Sequence, residues 1–175
     1  MQHNHYFTYT TQLGPVTIAD NGDAITHLLI GDAAANFQSS INSRLSPPPI
    51  LKETPLISEA QKQLVAYLSG IRQTFDLPIA PAGTAFQQKV WSALRQIPYG
   101  TTQTYADIAK NIGSPSASRA VGTACGRNPI LIITPCHRVI GTNGKLTGFA
   151  AGLDVKTALL HIEKALLTES AYDPS

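Results

Sequence analysis

The sequence predicts an α+β chain, with a small N-terminal domain of sheet and helix before a mostly helical C-terminal domain containing a helix-turn-helix. Three observations carry this. Residues 6–30 pass between aromatic or β-branched runs and turn pairs, as strands do. After Thr54 the apolar residues recur at helical spacing instead. Between the two halves lies PIAPAG, Pro78 to Gly83, a linker-like stretch. It gives domains at 1–78 and 84–175 joined by residues 79–83.

The first strands are expected at Tyr6 to Thr10, Val16 to Ala19 and Ala24 to Ile30. Gly14-Pro15 turns the chain once, and Asn21-Gly22 is a hairpin signal because both residues tolerate positive φ. Phe37, Ile41 and Leu45 suggest a short helix from about Ala33, and Ser46-Pro47-Pro48-Pro49 cannot continue it. Thr54-Pro55 pairs an N-cap with proline at the first helical position. The stripe that follows runs from Leu56 to Leu68, and Thr74 to Leu77 is a further candidate strand.

In the second half, Thr84 caps a helix bearing Phe86, Val90, Trp91, Leu94 and Ile97. Thr104 and Asp107 resemble a capping box, with Asp in the place of Glu or Gln. That helix runs to Asn111 and stops at Gly113, and Ser114-Pro115 starts the next. Helix, glycine-containing turn and helix form a helix-turn-helix, a motif more often purely structural than DNA-binding on spacing alone. Its second helix is lined by small residues, Ala117, Ser118, Ala120, Gly122, Thr123 and Ala124, with Arg119 as a long cation near its start. A short buried strand is expected at Ile130 to Ile133, stopped by Thr134-Pro135. A final helix carries Val155, Ala158, Leu159, Ile162 and Leu166, with Glu163 inside its apolar arc. A carboxylate there needs a partner.

Composition narrows the function. A net charge of +2 with 14% charged residues permits nucleic-acid binding without requiring it. The two cysteines, Cys125 and Cys136, form no CxxC pair, so no zinc site is indicated. MQHNHYFTYT lacks a basic segment followed by an apolar core, and no apolar run is long enough for a membrane span. An intracellular, cytoplasmic protein with reduced thiols and no membrane partner is expected. His3 and His5 read as exposed rather than as metal ligands.

Chemistry concentrates at Cys136-His137-Arg138. A thiol just past a buried strand, next to an imidazole and a guanidinium, is a candidate nucleophile, because the thiolate attacks and positive neighbours favour it. The alternative is a buried cysteine acting as a small apolar group.

ITPCHRVIG, preceded by FQQKVWSALRQIPYGTTQTYADIAKNIGSPSASRAVGTACGRNPI and followed by GKLTGFAAGLDVKTALLHIE, resembles the O6-alkylguanine-DNA alkyltransferases, also called methylated-DNA–protein-cysteine methyltransferases. The likeness spans roughly residues 75–165. It implies single-use transfer of an alkyl group from O6-alkylguanine, with O4-alkylthymine as a second candidate lesion, to Cys136. No cofactor or metal is implied. Catalytic roles fall on Cys136, His137, Glu163, Tyr105 and Asn128. Glu163 would fix His137, which deprotonates Cys136 through a water, while Tyr105 donates to the base and Asn128 ties the helix-turn-helix to the active-site loop.

The resemblance also implies a monomer on alkylated duplex DNA, with its second helix in the minor groove and the guanine flipped out. DNA contacts would come from Arg119, Ala117, Ser118, Gly122, Thr123 and Arg127, and Arg119 would fill the place of the extruded nucleotide. Val139, Phe149, Ala150, Ala151 and Leu131 would form the base pocket. Two departures stand out: Phe149 replaces a frequent tyrosine, and Ala151-Gly152 replaces a Gly-Gly pair. Ala151 is therefore expected to narrow the pocket for bulky adducts. Competing readings are a lesion binder without transfer, a thiol hydrolase and a helix-turn-helix regulator.

Overall fold

The computed structural model describes residues 3–41 and 45–164, so Leu166 of the expected stripe lies outside the described residues. The fold is α+β and divides into two compact units. One is Met1–Ala82 together with Pro129–Leu131, and the other is Gly83–Asn128 with Ile132–Ser175.

The first unit is built on a four-stranded sheet of order β3-β2-β1-β4. Strands β1 (His5–Thr11), β2 (Gly14–Asp20) and β3 (Ile25–Ile30) form antiparallel neighbours. Five consecutive residues of β2, Val16 to Asp20, are buried. Successive strand residues point to opposite faces, so both faces of β2 are covered. Helices α1 (Asp32–Ala35) and α3 (Pro55–Leu68) pack on it, with α2 (Phe37–Ile41) joining Tyr6 and Ala19 in a small apolar cluster. Thr54 caps α3 by accepting from the Ile57 amide, with Pro55 at the first helical position.

Three expectations in this unit change. β4 (Ile50–Leu51) was not foreseen; it adds in parallel to β1 directly after the proline run. No strand forms at 74–77. Instead, Ile25 donates to the Pro78 carbonyl and accepts from the Ala80 amide, both at 2.8 Å. The first residues of the expected linker are thus paired to β3, and the unit boundary falls at Ala82–Gly83. Gly83 lies flat on the Trp91 ring, which a Cβ would meet at 2.5 Å.

In the second unit, α4 (Ala85–Leu94) opens with a capping box between Thr84 and Gln87. The Trp91 indole N–H donates to the Ala124 carbonyl at 2.9 Å, fixing α4 to α6 (Ser118–Gly126). A second capping box, Thr104 with Asp107, starts α5 (Tyr105–Asn111). α6 begins three residues later than Pro115, because Ser114 to Ala117 form a turn closed by the Ala117 amide on the Ser114 carbonyl. β5 (Gln103–Thr104) pairs in parallel with β6 (Val139–Ile140), just after the 3-10 turn Cys136–Arg138. α7 (Leu153–Ile162) closes the unit, and Glu163 is its C-cap rather than an interior residue.

The run Ile130 to Ile133 is not a strand. Ile130 and Leu131 make a bridge to Leu28 in the first unit, and the chain then turns at Ile132, whose φ is 72°. A β-branched residue in that region is a genuine outlier, costing on the order of 1–3 kcal/mol. It stands four residues before Cys136.

Candidate active site

Cys136 opens the 3-10 turn and is buried, 4% exposed. It lines a cavity of about 280 Å³ with Tyr105, Gly122, Cys125, Gly126, Gly148, Phe149 and Ala150. α6 contributes the small residues Gly122, Cys125 and Gly126, and the loop before α7 contributes the Phe149 ring. The volume is just below the range of about 300–1,000 Å³ for small-molecule pockets, and suits one planar ring system.

The thiol's neighbours set its chemistry. The Asn128 amide Nδ2 donates to Sγ at 3.3 Å and to the Thr134 carbonyl at 2.8 Å, so one side chain joins the end of α6 to the nucleophile's turn. Burial pushes the Cys136 thiol up, and the Asn128 hydrogen bond and the nearby Lys156 charge pull it back. The resting sulfur is a thiol and needs a base to release its proton.

The candidate base is the next residue in the chain. His137 is fully buried, and its Nε2 lies 2.7 Å from Glu163 Oε2. Arg138 donates to the same carboxylate from Nε at 2.8 Å and Nη2 at 2.9 Å, and from Nη1 to the Ile97 carbonyl at 2.7 Å. The Gly100 amide adds a weaker bond at 3.3 Å, and the Tyr99 ring stacks 5.7 Å from the guanidinium. Glu163 is therefore held as a carboxylate by Arg138, and Nε2 of His137 must donate to it. Burial lowers the His137 pKa, opposed by the bond to Glu163. A neutral imidazole with Nε2 protonated presents Nδ1 as its basic atom.

Arg138 was expected beside the sulfur as a cation, but the structure turns it onto Glu163. Val139 and Leu131 are not among the pocket residues. Val139 is fully buried with its carbonyl turned to Lys156, and the Leu131 amide donates to the Leu28 carbonyl in the first unit. Ala151 also lies outside the lining, which the chain supplies from Gly148, Phe149 and Ala150.

Of the helix-turn-helix residues, Arg119, Thr123 and Arg127 are exposed, Ala117 and Ser118 are half-buried, and Gly122 faces the cavity. The Tyr105 hydroxyl donates to the Thr147 carbonyl at 3.0 Å, and burial raises its pKa.

Two pocket neighbours went unread in the sequence. Cys125 faces the cavity, and burial beside Cys136 raises it to about 12. Lys156 is fully buried. It precedes Leu159 by three positions and Leu160 by four, so the helical period already placed it on the buried arc.

A buried thiol next in the chain to an imidazole–carboxylate pair, in a unit that carries a helix-turn-helix, is the set of groups a cysteine nucleophile uses. Comparison with known proteins makes the class specific. Residues 85–165 match the model for the 6-O-methylguanine DNA methyltransferase DNA binding domain, and residues 4–81 match that for its ribonuclease-like domain. The chain belongs to the 6-O-methylguanine DNA methyltransferase family. A methylated-DNA–protein-cysteine methyltransferase of Methanosarcina acetivorans is 46% identical over 159 residues, covering 91% of this chain and 97% of that one. The constitutive Bacillus subtilis protein of that name is 46% identical over 163 residues, covering 92% and 96%. The Mycobacterium tuberculosis OGT structure in complex with DNA superposes with a TM-score of 0.80 at 45% identity, covering 91% of this chain and 92% of that one.

Proposed function

We propose that this protein repairs DNA by direct reversal, moving the alkyl group of O6-alkylguanine to Cys136 once per molecule. Family membership and the names of its relatives support the activity. The observation that carries the site assignment is a thiol on a base-sized cavity, one residue from a buried imidazole–carboxylate pair.

Cys136 gives its proton, by way of a water, to Nδ1 of His137. The imidazolium is stabilised by Glu163, which Arg138 keeps charged. The thiolate attacks the alkyl carbon in line, so an S–C bond forms as the C–O6 bond breaks. The electron pair leaves on guanine, which takes a proton from the Tyr105 hydroxyl as that hydroxyl turns from Thr147 to the base, and the proton held on His137 returns through water to restore the tyrosine, so neutral guanine and neutral side chains result. The product thioether has no hydrolytic exit, so each molecule acts once.

The target atom is hidden in the duplex, and the nucleotide must leave the stack at a cost of a few kcal/mol. α6 is the helix for DNA contact. Its small residues allow close approach of its backbone, and exposed Arg119 near its start suits the space of the extruded nucleotide. Minor-groove docking as a monomer belongs to the same proposal.

The test is intact-protein mass after mixing with duplex DNA carrying one O6-methylguanine, followed by peptide mapping. One added methyl on Cys136, saturating at one per protein, is expected. Unchanged mass with tight lesion binding would establish a binder without transfer.

A further inference from the structure

Lys156 is a fully buried cation whose hydrogen bonds go to backbone carbonyls. Its Nζ donates to Val139 at 2.6 Å, to Thr147 at 3.1 Å and to Gly148 at 3.3 Å. Three ammonium hydrogens therefore meet three carbonyls from two places. Val139 begins the strand three residues after the nucleophile. Thr147 and Gly148 begin the loop whose next residues, Phe149 and Ala150, wall the cavity. Burying a cation here is costly, since a leucine or methionine would fill the space without charge. The groups nearest in charge are the Cys136 and Cys125 thiols and the His137 ring. Burial lowers Lys156 to about 8, and the thiols oppose that shift.

The Thr147 carbonyl is the informative atom. It accepts from Lys156 and also from the Tyr105 hydroxyl at 3.0 Å. In the proposed reaction that hydroxyl leaves for the base, and the carbonyl loses one of its two donors. With Lys156 in place it keeps one donor, so the tyrosine is released cheaply and the loop does not follow it.

We infer that Lys156 is a positioning residue for alkyl transfer, fastening the pocket loop to the strand behind the nucleophile and holding the Thr147 carbonyl while Tyr105 turns to the base. This rests on the function proposed above, and in particular on the role of Tyr105.

The experiment is single-turnover methyl transfer from the O6-methylguanine duplex to full-length wild type, Lys156→Met, Tyr105→Phe and the double variant. Lys156→Met is expected to lower the maximal rate roughly thirtyfold while the half-saturating DNA concentration stays within about twofold, as for a misplaced reacting geometry. The double variant is expected to fall little further than the worse single, because one event is broken twice. Singles that multiply, or a loss carried entirely by DNA affinity, would overturn the coupling. As a second route, propylammonium should raise the rate of Lys156→Ala several-fold and saturably. A rate unchanged by the amine counts against the inference. Wild type that transfers no methyl group would sink the proposed function itself; active wild type beside an unimpaired Lys156→Met would sink only the role of Lys156.

Discussion

The two units bury polar side chains to different ends. In the first, Thr17 donates to the Ala34 carbonyl at 2.8 Å, and Gln63 accepts from the Asp76 amide at 2.9 Å and donates to its carbonyl at 3.1 Å. Asp20 takes His5 Nδ1 at 3.0 Å and the Thr54 hydroxyl, tying the paired ends of β1 and β2 to the cap of α3. These groups fix the course of the backbone. In the second unit, Asn128, His137, Arg138, Lys156 and Glu163 are all buried: Asn128 bonds the Cys136 sulfur, His137 and Arg138 share Glu163, and Lys156 holds the carbonyls of Val139, Thr147 and Gly148. Burial of comparable depth serves architecture in one unit and, on the proposed function, reactivity in the other. Location relative to a nucleophile, rather than burial itself, separates the two uses.

The contrast can be broken at its strongest point. Cys136→Ala should abolish transfer completely while lesion binding persists, with stability changed by about 1 kcal/mol or less. Intact mass and a binding titration check this, and loss of binding would undermine the extrusion model. Glu163→Gln should do double damage. It leaves the Arg138 cation uncompensated, costing about 3–5 kcal/mol in a urea titration. It also removes the acceptor that fixes His137, slowing transfer roughly a hundredfold.

Lys156 sharpens the comparison through pH. Its folded pKa of about 8 lies below the ordinary 10.5, so between these values the unfolded chain binds more protons and stability rises with pH. Over that window wild type should gain about 3 kcal/mol relative to Lys156→Met, since one pKa unit is worth about 1.4 kcal/mol. Paired urea midpoints at pH 7.5 and pH 10.5 read the difference; parallel midpoints would remove the buried charge from the account. The smallest effect belongs to the first unit. Asp20→Ala should lose about 2 kcal/mol for its hydrogen bonds, yet leave the transfer rate per folded molecule unchanged. A slowed rate would mean that the architectural network reaches the reactive one.

Legibility followed the range of the interactions. The caps at Thr54, Thr84 and Thr104 are local, and the sequence displays them directly. The pairing of His137 with Glu163 joins residues 26 apart, and came from the family likeness together with an acidic residue in an apolar arc. β4 has only two residues and is stabilised by a partner strand, so no local period marks it. The turn at Ile132 contradicts its own β-branched run, because tertiary context imposes a left-handed backbone there. Lys156 carries no local signal beyond its helical spacing, and Arg138 reads only as a cation beside the thiol, because what buries these two is a set of carbonyls and one carboxylate distant in sequence.

Cys125 shares the cavity with the nucleophile, yet burial raises its thiol to about 12, so it stays protonated at neutral pH. Even as a thiolate it would face a thioether, which is a poor alkyl donor. Among the described residues of the cavity walls, none can therefore take the group off Cys136 again. Repair capacity in a cell is then a census rather than a rate. It equals the number of unreacted copies present when the damage arrives, and recovery afterwards runs at the speed of new protein synthesis.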